Sequence, residues 1–171
     1  MAHDMTATAK ANRSAIRAAA DASVAADSSG RLAAFRRLVT SSSFTTNVSA
    51  HKVTTFGRVG ELLDARQYDV EQAGGDRTAG LDAFAVRQGA WLARREAFED
   101  LWHHGRRLVY GAVNAGGMGT EGLFGPFCLG SADPTTPVPD ALAVFPGDSA
   151  QRYTTDAADC DGEQARREAT S

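Results

Sequence analysis

The sequence predicts an α+β fold, with N-terminal helices and one longer helix packed on a mostly antiparallel sheet centred on a glycine-turn hairpin. Three observations predict it. The first 40 residues are rich in alanine, with apolar residues at helical spacing. Residues 106–129 hold the densest run of strand-forming residues, interrupted by glycines. The composition, 43% hydrophobic and 23% charged, is that of a globular chain, and 171 residues can form one core.

Four segments have the apolar periodicity of helices. In the second of them Leu32, Phe35, Leu38 and Val39 share one face, while Arg36 and Arg37 lie on the other. Gly105 follows the last of them and is expected to occupy the C′ position that ends it. The helical segments are residues 6–26, 31–39, 58–66 and 90–102.

Four further segments are predicted strands: residues 44–48, 108–113, 123–129 and 141–145. Gly117, Gly119 and Gly122 spell G-x-G-x-x-G between the middle two. A dinucleotide fingerprint requires a helix at this point, whereas a strand-like run follows, so the glycines indicate a hairpin turn. Residues 1–153 are predicted to form a single domain, with a helical part over residues 1–43. Residues 154–171 are predicted to be a polar, disordered tail.

The net charge of −3 is unevenly distributed. Residues 1–60 contain 8 Lys and Arg against 3 Asp and Glu, and the remaining residues contain 10 against 18. A basic N-terminal part suits nucleic acid or an acidic partner, but solvated helices with Arg on their outer faces are the favoured explanation, and nucleic acid is not expected as a partner. Cys128 and Cys160 occur in dissimilar settings, which favours a reducing cytoplasm. No apolar run approaches the ~20 residues of a membrane span.

The sequence contains few candidate catalytic, ligand-binding or metal-binding residues. The four histidines lack the short fixed spacing of metal ligands, so no metal site is predicted. Asp148 and Ser149 directly follow a predicted strand, where sites often occur, which makes Asp148 the best-placed general base. Tyr110 and Asn114 are four residues apart in a strand and therefore share a face. They suit hydrogen bonding to a ligand, and they suit a rim residue and a turn cap equally well.

The run Tyr110-Gly111-Ala112-Val113-Asn114 resembles the Tyr-Gly-Ala-Leu-Asn signature of the bacterial domain-of-unknown-function family numbered 3626. Residues 46–52 resemble that family's first strand end, and residues 145–149 its strand ending in Asp-Ser. Ser49, Ala50 and His51 stand where the family has His, Pro and Asp, so the resemblance is to a diverged member. The family carries no established activity, and the resemblance therefore implies a fold rather than a reaction.

Two functions of different classes follow from these residues. The first is an enzyme-like domain that binds a nucleotide-bearing or other anionic small ligand, with ADP-ribosyltransferase-like transfer as one concrete version. Lys52 would contact the anion, Asp148 and Tyr110 would be catalytic, and Asn47, Asn114 and Ser149 would bind substrate. The alternative is a non-catalytic protein that binds a partner through its basic helical N-terminal part, which predicts an exposed apolar patch near Phe35 or Ile16. No motif specifies a cofactor or an oligomeric state.

Overall fold

The computed structural model describes residues 2–114, 127–130, 142–155 and 159–171, in which eight α-helices and a three-stranded antiparallel sheet confirm the α+β class. The chain divides into two compact units. The sheet-bearing unit comprises Ala22–Leu81 and Val109–Val138, and the helical unit comprises Met1–Asp21, Asp82–Leu108 and Pro139–Ser171. The single domain expected over residues 1–153 stays a prediction.

Two helices open the chain at the predicted positions. Helix α1 spans Met5–Ala26 and helix α2 spans Arg31–Thr40. The carboxylate of Asp27 organises the turn between them, because Oδ1 accepts from the Ser29 amide at 3.0 Å and Oδ2 accepts from the Leu32 amide at 2.7 Å. The Asp27 side chain therefore satisfies a backbone donor in the first turn of α2, whose N-cap residue is Gly30.

The sheet of the first unit has β1 as its central strand. Strands β1 (Ser43–Val48), β2 (Ala112–Asn114) and β3 (Phe127–Gly130) lie in the order β2-β1-β3, and Thr45 pairs with both Ala112 and Gly130. The predicted centring on a hairpin is therefore wrong for the described strands, since β2 and β3 occupy opposite edges of β1. The strand predicted over residues 108–113 begins only at Ala112. The predicted glycine turn lies outside the described residues.

The prediction of a single helix over residues 58–66 is wrong, because one helix ends and another begins within that segment. Helix α3 spans Ala50–Val59 and ends where Gly60 adopts a positive φ of 79°. Helix α4 spans Ala65–Gln72. Its capping box joins Asp64 and Gln67: Asp64 Oδ1 accepts from the Gln67 amide at 2.9 Å, and the Gln67 side chain accepts from the Asp64 amide at 3.0 Å.

Helix α5 (Arg77–Gln88) precedes α6 (Trp91–Glu99), which is shorter than the predicted 90–102 and belongs to the helical unit rather than the unit with the sheet. Gly105 does not end α6 as predicted. His104 takes the left-handed conformation (φ 57°), and Gly105 starts a 3₁₀ turn, Gly105–Arg107, where a Cβ atom would collide with the Glu99 carbonyl oxygen.

The core of the helical unit is an aromatic cluster centred on Phe98, which is 1% exposed. Its ring centroid lies 6.1 Å from that of Trp102, 5.4 Å from that of Phe145 and 5.9 Å from that of Tyr153. Aromatic pairs at these separations contribute beyond their buried area. This cluster joins α6 to the C-terminal part of the same unit.

The C-terminal residues depart from the polar, disordered tail that their composition predicts. Helix α7 spans Ser149–Tyr153, and helix α8 spans Gly162–Glu168. Ala165 and Ala169 are fully buried, and Asn12 Nδ2 donates to the carbonyl oxygens of Arg166 at 2.6 Å and Ala169 at 3.0 Å. Within the described part of the predicted strand 141–145, only an isolated bridge between Val144 and Thr170 occurs.

Candidate functional site

The predicted site residues divide between the two compact units. Asn47, Lys52, Tyr110 and Asn114 belong to the sheet-bearing unit, and Asp148 and Ser149 belong to the helical unit. A single pocket formed by all six stays a prediction, and the placement of the two groups is described separately.

Within the sheet-bearing unit, Asn47 and Asn114 lie at opposite ends of β1. Asn114 pairs with Ser43, and Asn47 is four residues further along that strand. Four residues of extended chain span about 13 Å. The even spacing puts Asn47, Ser43 and Asn114 on one face of the sheet, with the fully buried Thr45 between them. The structure therefore aligns the two amides on one face without bringing them together.

Tyr110 lies at the end of β1 that carries Asn47. Thr46 Oγ1 donates a hydrogen bond of 2.8 Å to the Tyr110 carbonyl oxygen, just before β2 begins. Because β2 runs antiparallel to β1, the chain before Ala112 extends towards the C-terminal end of β1. Asn47 and Tyr110 are thus brought to the same end of the sheet, and both are half-buried.

Lys52 follows β1 closely, in the first turn of α3. The Ser49 side chain caps this helix and accepts from the Lys52 amide at 3.4 Å. The Lys52 Nζ atom lies 5.1 Å from the ring centroid of Tyr68, a cation–π separation. Tyr68 is 3% exposed, and its hydroxyl has no hydrogen-bond partner among the described residues. Burial raises the pKa of the Tyr68 phenol, so the ring remains neutral beside the ammonium group.

Tyr68 is not among the residues predicted for the site. In the sequence Tyr68 and Val70 alternate with Asp69 and Glu71, a weak strand pattern, whereas both lie in α4. The signal that identifies the helix is the Asp64-x-x-Gln67 spacing of a capping box, which places Tyr68 one residue after Gln67, in the first turn.

Asp148 and Ser149 have structural roles in the helical unit. Asp148 Oδ1 accepts from the Gln151 amide at 3.0 Å and thereby caps α7. Asp148 is exposed, whereas Ser149 is 9% exposed. A cap oxygen that is hydrogen-bonded to backbone is already committed as an acceptor, which weakens the case for Asp148 as a base. Its catalytic role stays a prediction.

The most distinctive surface of the sheet-bearing unit is the apolar stripe of α2, defined here as Leu32, Phe35 and Leu38. These side chains are 43%, 59% and 41% exposed, and α2 has no buried residue. Residues three apart on a helix share a face, so the three form one continuous stripe. The predicted apolar face exists, but it is turned substantially towards solvent, while Arg36 is half-buried.

Basic residues predominate around the α2 stripe, and the nearest acid, Asp27, accepts from the Leu32 amide at the start of the helix. Arg31, Arg36 and Arg37 lie on the helix, and no Asp or Glu occurs from residue 28 to residue 60. Arg31 is four residues before Phe35 and seven before Leu38, which places a cation within the apolar stripe. The combination of exposed apolar area with an excess of basic residues distinguishes α2 from an ordinary solvated helix.

The sequence was compared with protein-family models, with curated proteins and with solved structures. None of the three comparisons found a match. The resemblance to the family numbered 3626 therefore stays a hypothesis based on the residues quoted for it. None of the helices in the described ranges is long and apolar enough to cross a membrane. The described residues contain no group of three or more His, Cys, Asp or Glu side chains arranged to hold a metal ion.

Proposed function

We propose that this chain is a non-catalytic interaction protein that binds a partner protein through the α2 stripe. The observation that carries the proposal is the exposure of Leu32, Phe35 and Leu38 on one helix face. Apolar side chains at three-residue spacing are the anchors by which two helices recognise each other. The two cysteines in 171 residues support a reducing cytoplasm as the compartment in which it works.

Phe35 is the expected energetic centre of this surface. It is the most exposed of the three stripe residues and lies between the other two along the helix. Aromatic residues near the centre of an interface dominate binding energies, and their truncation typically costs more than about 1 kcal/mol. Because Phe35 is 59% exposed in the unbound chain, its truncation should affect binding far more than folding.

The test uses a displayed peptide library selected on the full chain, followed by affinity measurement with the selected peptides. Phe35→Ala should weaken binding by about tenfold, corresponding to about 1.4 kcal/mol. Val86→Ala is the matched control, because Val86 is an apolar helical residue that is 83% exposed in the other unit. Selected peptides that bind Phe35→Ala as tightly as the unaltered chain, or a selection that yields no binder, would contradict the proposal.

One specific observation favours a second function, binding of a small anionic or nucleotide-bearing ligand by the sheet-bearing unit. Lys52 lies in the first turn of α3, where the helix dipole also favours negative charge, and Asn47 and Tyr110 share the adjacent end of the sheet. ADP-ribosyl transfer is the concrete reaction that this arrangement would serve. The proposal rests on these three residues, without Asp148.

Thermal denaturation with NAD, ATP or inorganic phosphate tests this second function. A ligand at about ten times its Kd should stabilise the chain by about 1.4 kcal/mol. Lys52→Gln should abolish that shift. Arg58→Gln, a cation on the same helix whose guanidinium pairs with Glu71, should leave it unchanged. The absence of a shift with all three ligands would rule this function out for those ligands.

A further inference from the structure

We infer that the partner of the α2 stripe presents an acidic amphipathic helix. This inference rests on the proposed function and goes further by specifying the partner's chemistry. Positive charge and apolar surface are interleaved on α2, since Arg31 lies at i−4 from Phe35 and at i−7 from Leu38 on the same face. A complementary surface must therefore supply carboxylates directly beside its apolar anchors.

The size of the stripe indicates a helical occupant. Leu32 and Leu38 are six residues apart, which is about 9 Å along the helix axis and nearly two turns. A partner helix packed alongside α2 can contact the whole stripe with apolar residues at i, i+3 or i+4, and i+7. Glu or Asp at the positions flanking those anchors would then face Arg31, which is exposed.

Charge complementarity favours an acidic partner over neutral or basic ones. Helix α2 carries three Arg and no Asp or Glu, and the nearest acid, Asp27, already accepts from the Ser29 and Leu32 amides at the start of the helix. Like charges placed opposite each other at an interface are strongly disfavoured, whereas complementary potentials raise association rates and select the partner. An acidic partner should therefore bind more tightly at low salt than at high salt, and it should bind more tightly than a neutral or basic partner.

A protein partner fits α2 better than an anionic membrane surface does. Only three bulky apolar residues of this ten-residue helix are well exposed, and a single small apolar contact gives marginal membrane binding.

The experiment compares three synthetic helical peptides of about 20 residues, a length at which helix formation in water becomes feasible. All three carry the same apolar face, and their polar positions are filled with Glu, Gln or Lys. Binding to the full chain is measured by fluorescence anisotropy at about 0.1 M and about 1 M salt, where the Debye length falls from about 10 Å to about 3 Å. Vesicles of anionic and of neutral phospholipid form the fourth arm.

The Glu peptide should bind at least about tenfold more tightly than the Gln peptide at low salt, and most of this advantage should disappear at high salt. Arg31→Gln should reduce the affinity for the Glu peptide and leave that for the Gln peptide unchanged. Arg107→Gln, an exposed arginine of the other unit, is the matched control and should affect neither.

The outcomes separate the two proposals. Equal binding of the Glu and Gln peptides, with both weakened by Phe35→Ala, would overturn the acidic partner and leave the docking function standing. Preference for the Lys peptide would overturn the acidic partner as well. Binding to anionic vesicles with no peptide bound would replace the protein partner with a membrane surface. If no peptide and no vesicle binds, the inference of an acidic partner helix is overturned. The docking function itself is tested separately by the library selection.

Discussion

Short polar side chains determine where several helices begin. Asp27, Ser49, Asp64, Asp148 and Asp161 each accept from a backbone amide at or near the first turn of a helix. Such caps satisfy donors that the helix itself cannot, and replacing one with Ala typically costs about 1 kcal/mol. The start of α2 could be predicted from the polar break of Asp27, Ser28 and Ser29 in an apolar pattern. The cap at Asp64 could have been found from the spacing of Asp64 and Gln67.

Glu168 of α8 is an ionisable residue that contacts Arg152 and Tyr153 of α7. Its Oε2 accepts from Arg152 Nε at 2.7 Å and from the Tyr153 hydroxyl at 2.7 Å, and its Oε1 accepts from Gln164 at 3.0 Å. The hydrogen bond from Arg152, followed by those from Gln164 and Tyr153, lowers the pKa of Glu168 from 4.5 to about 2. A carboxylate with a lowered pKa in the folded state stabilises the protein in its charged form.

Glu168→Gln should therefore reduce the free energy of unfolding at neutral pH. The difference from the unaltered chain should be fully present above pH 4.5 and should shrink as the pH falls from 4.5 towards about 2, because Glu168 then becomes protonated in both states. Urea denaturation over this pH range measures the difference in the free energy of unfolding. Glu163→Gln on the same helix is the control, since its exposed pair with Arg167 should contribute little. Equal losses for both variants at neutral pH would contradict this role of Glu168.

The ends of several helices depend on interactions that the helix or strand propensity of a segment does not reflect. Thr54 and Thr55, β-branched residues that favour strands, lie inside α3, where the Ser49 cap and the positive φ of Gly60 set both ends. The segment after Tyr153 is polar in composition, yet α8 is held by Asn12, more than 150 residues earlier. Helix periodicity identified α1 and α2, whereas contacts of this separation are invisible in a single segment of sequence.

The close approach of α4 and α5 gives a prediction at the scale of elements. A Cβ atom on Gly80 would lie 2.5 Å from the Val70 Cα atom, whereas one on Gly57 in α3 would meet nothing within 4 Å. Gly80→Ala should therefore destabilise the sheet-bearing unit by about 1–3 kcal/mol through overpacking. Gly57→Ala should stabilise it by about 0.5–1 kcal/mol, because alanine loses less conformational entropy in a helix.

Urea denaturation of both variants under one set of conditions provides the comparison. Both substitutions add the same methyl group to a helical glycine of the same unit, so they differ only in the space around it. Gly80→Ala that is as stable as Gly57→Ala would show that α4 and α5 do not approach this closely.

At the scale of the whole molecule, the α+β class followed from composition and periodicity, but the strand order did not. β1 is central because both its edges are paired, and the sequence favoured residues 106–129 because strand-forming residues are densest there. Of the residues predicted as a site, Asn47 and Tyr110 lie at one end of the sheet and Lys52 lies in the following helix, while the site itself stays a prediction. The apolar periodicity of α2 by itself favours burial, and the exposure near Phe35 was expected only from the interaction hypothesis.

The central claim is that the α2 stripe is a docking surface, and the ratio of two dissociation constants tests it most directly. For a peptide selected on the full chain, the Kd measured with Phe35→Ala divided by that measured with Val86→Ala should be about ten, since only Phe35 belongs to the stripe. Far-UV circular dichroism should show both variants folded. A ratio near one, with both variants folded, would contradict the claim.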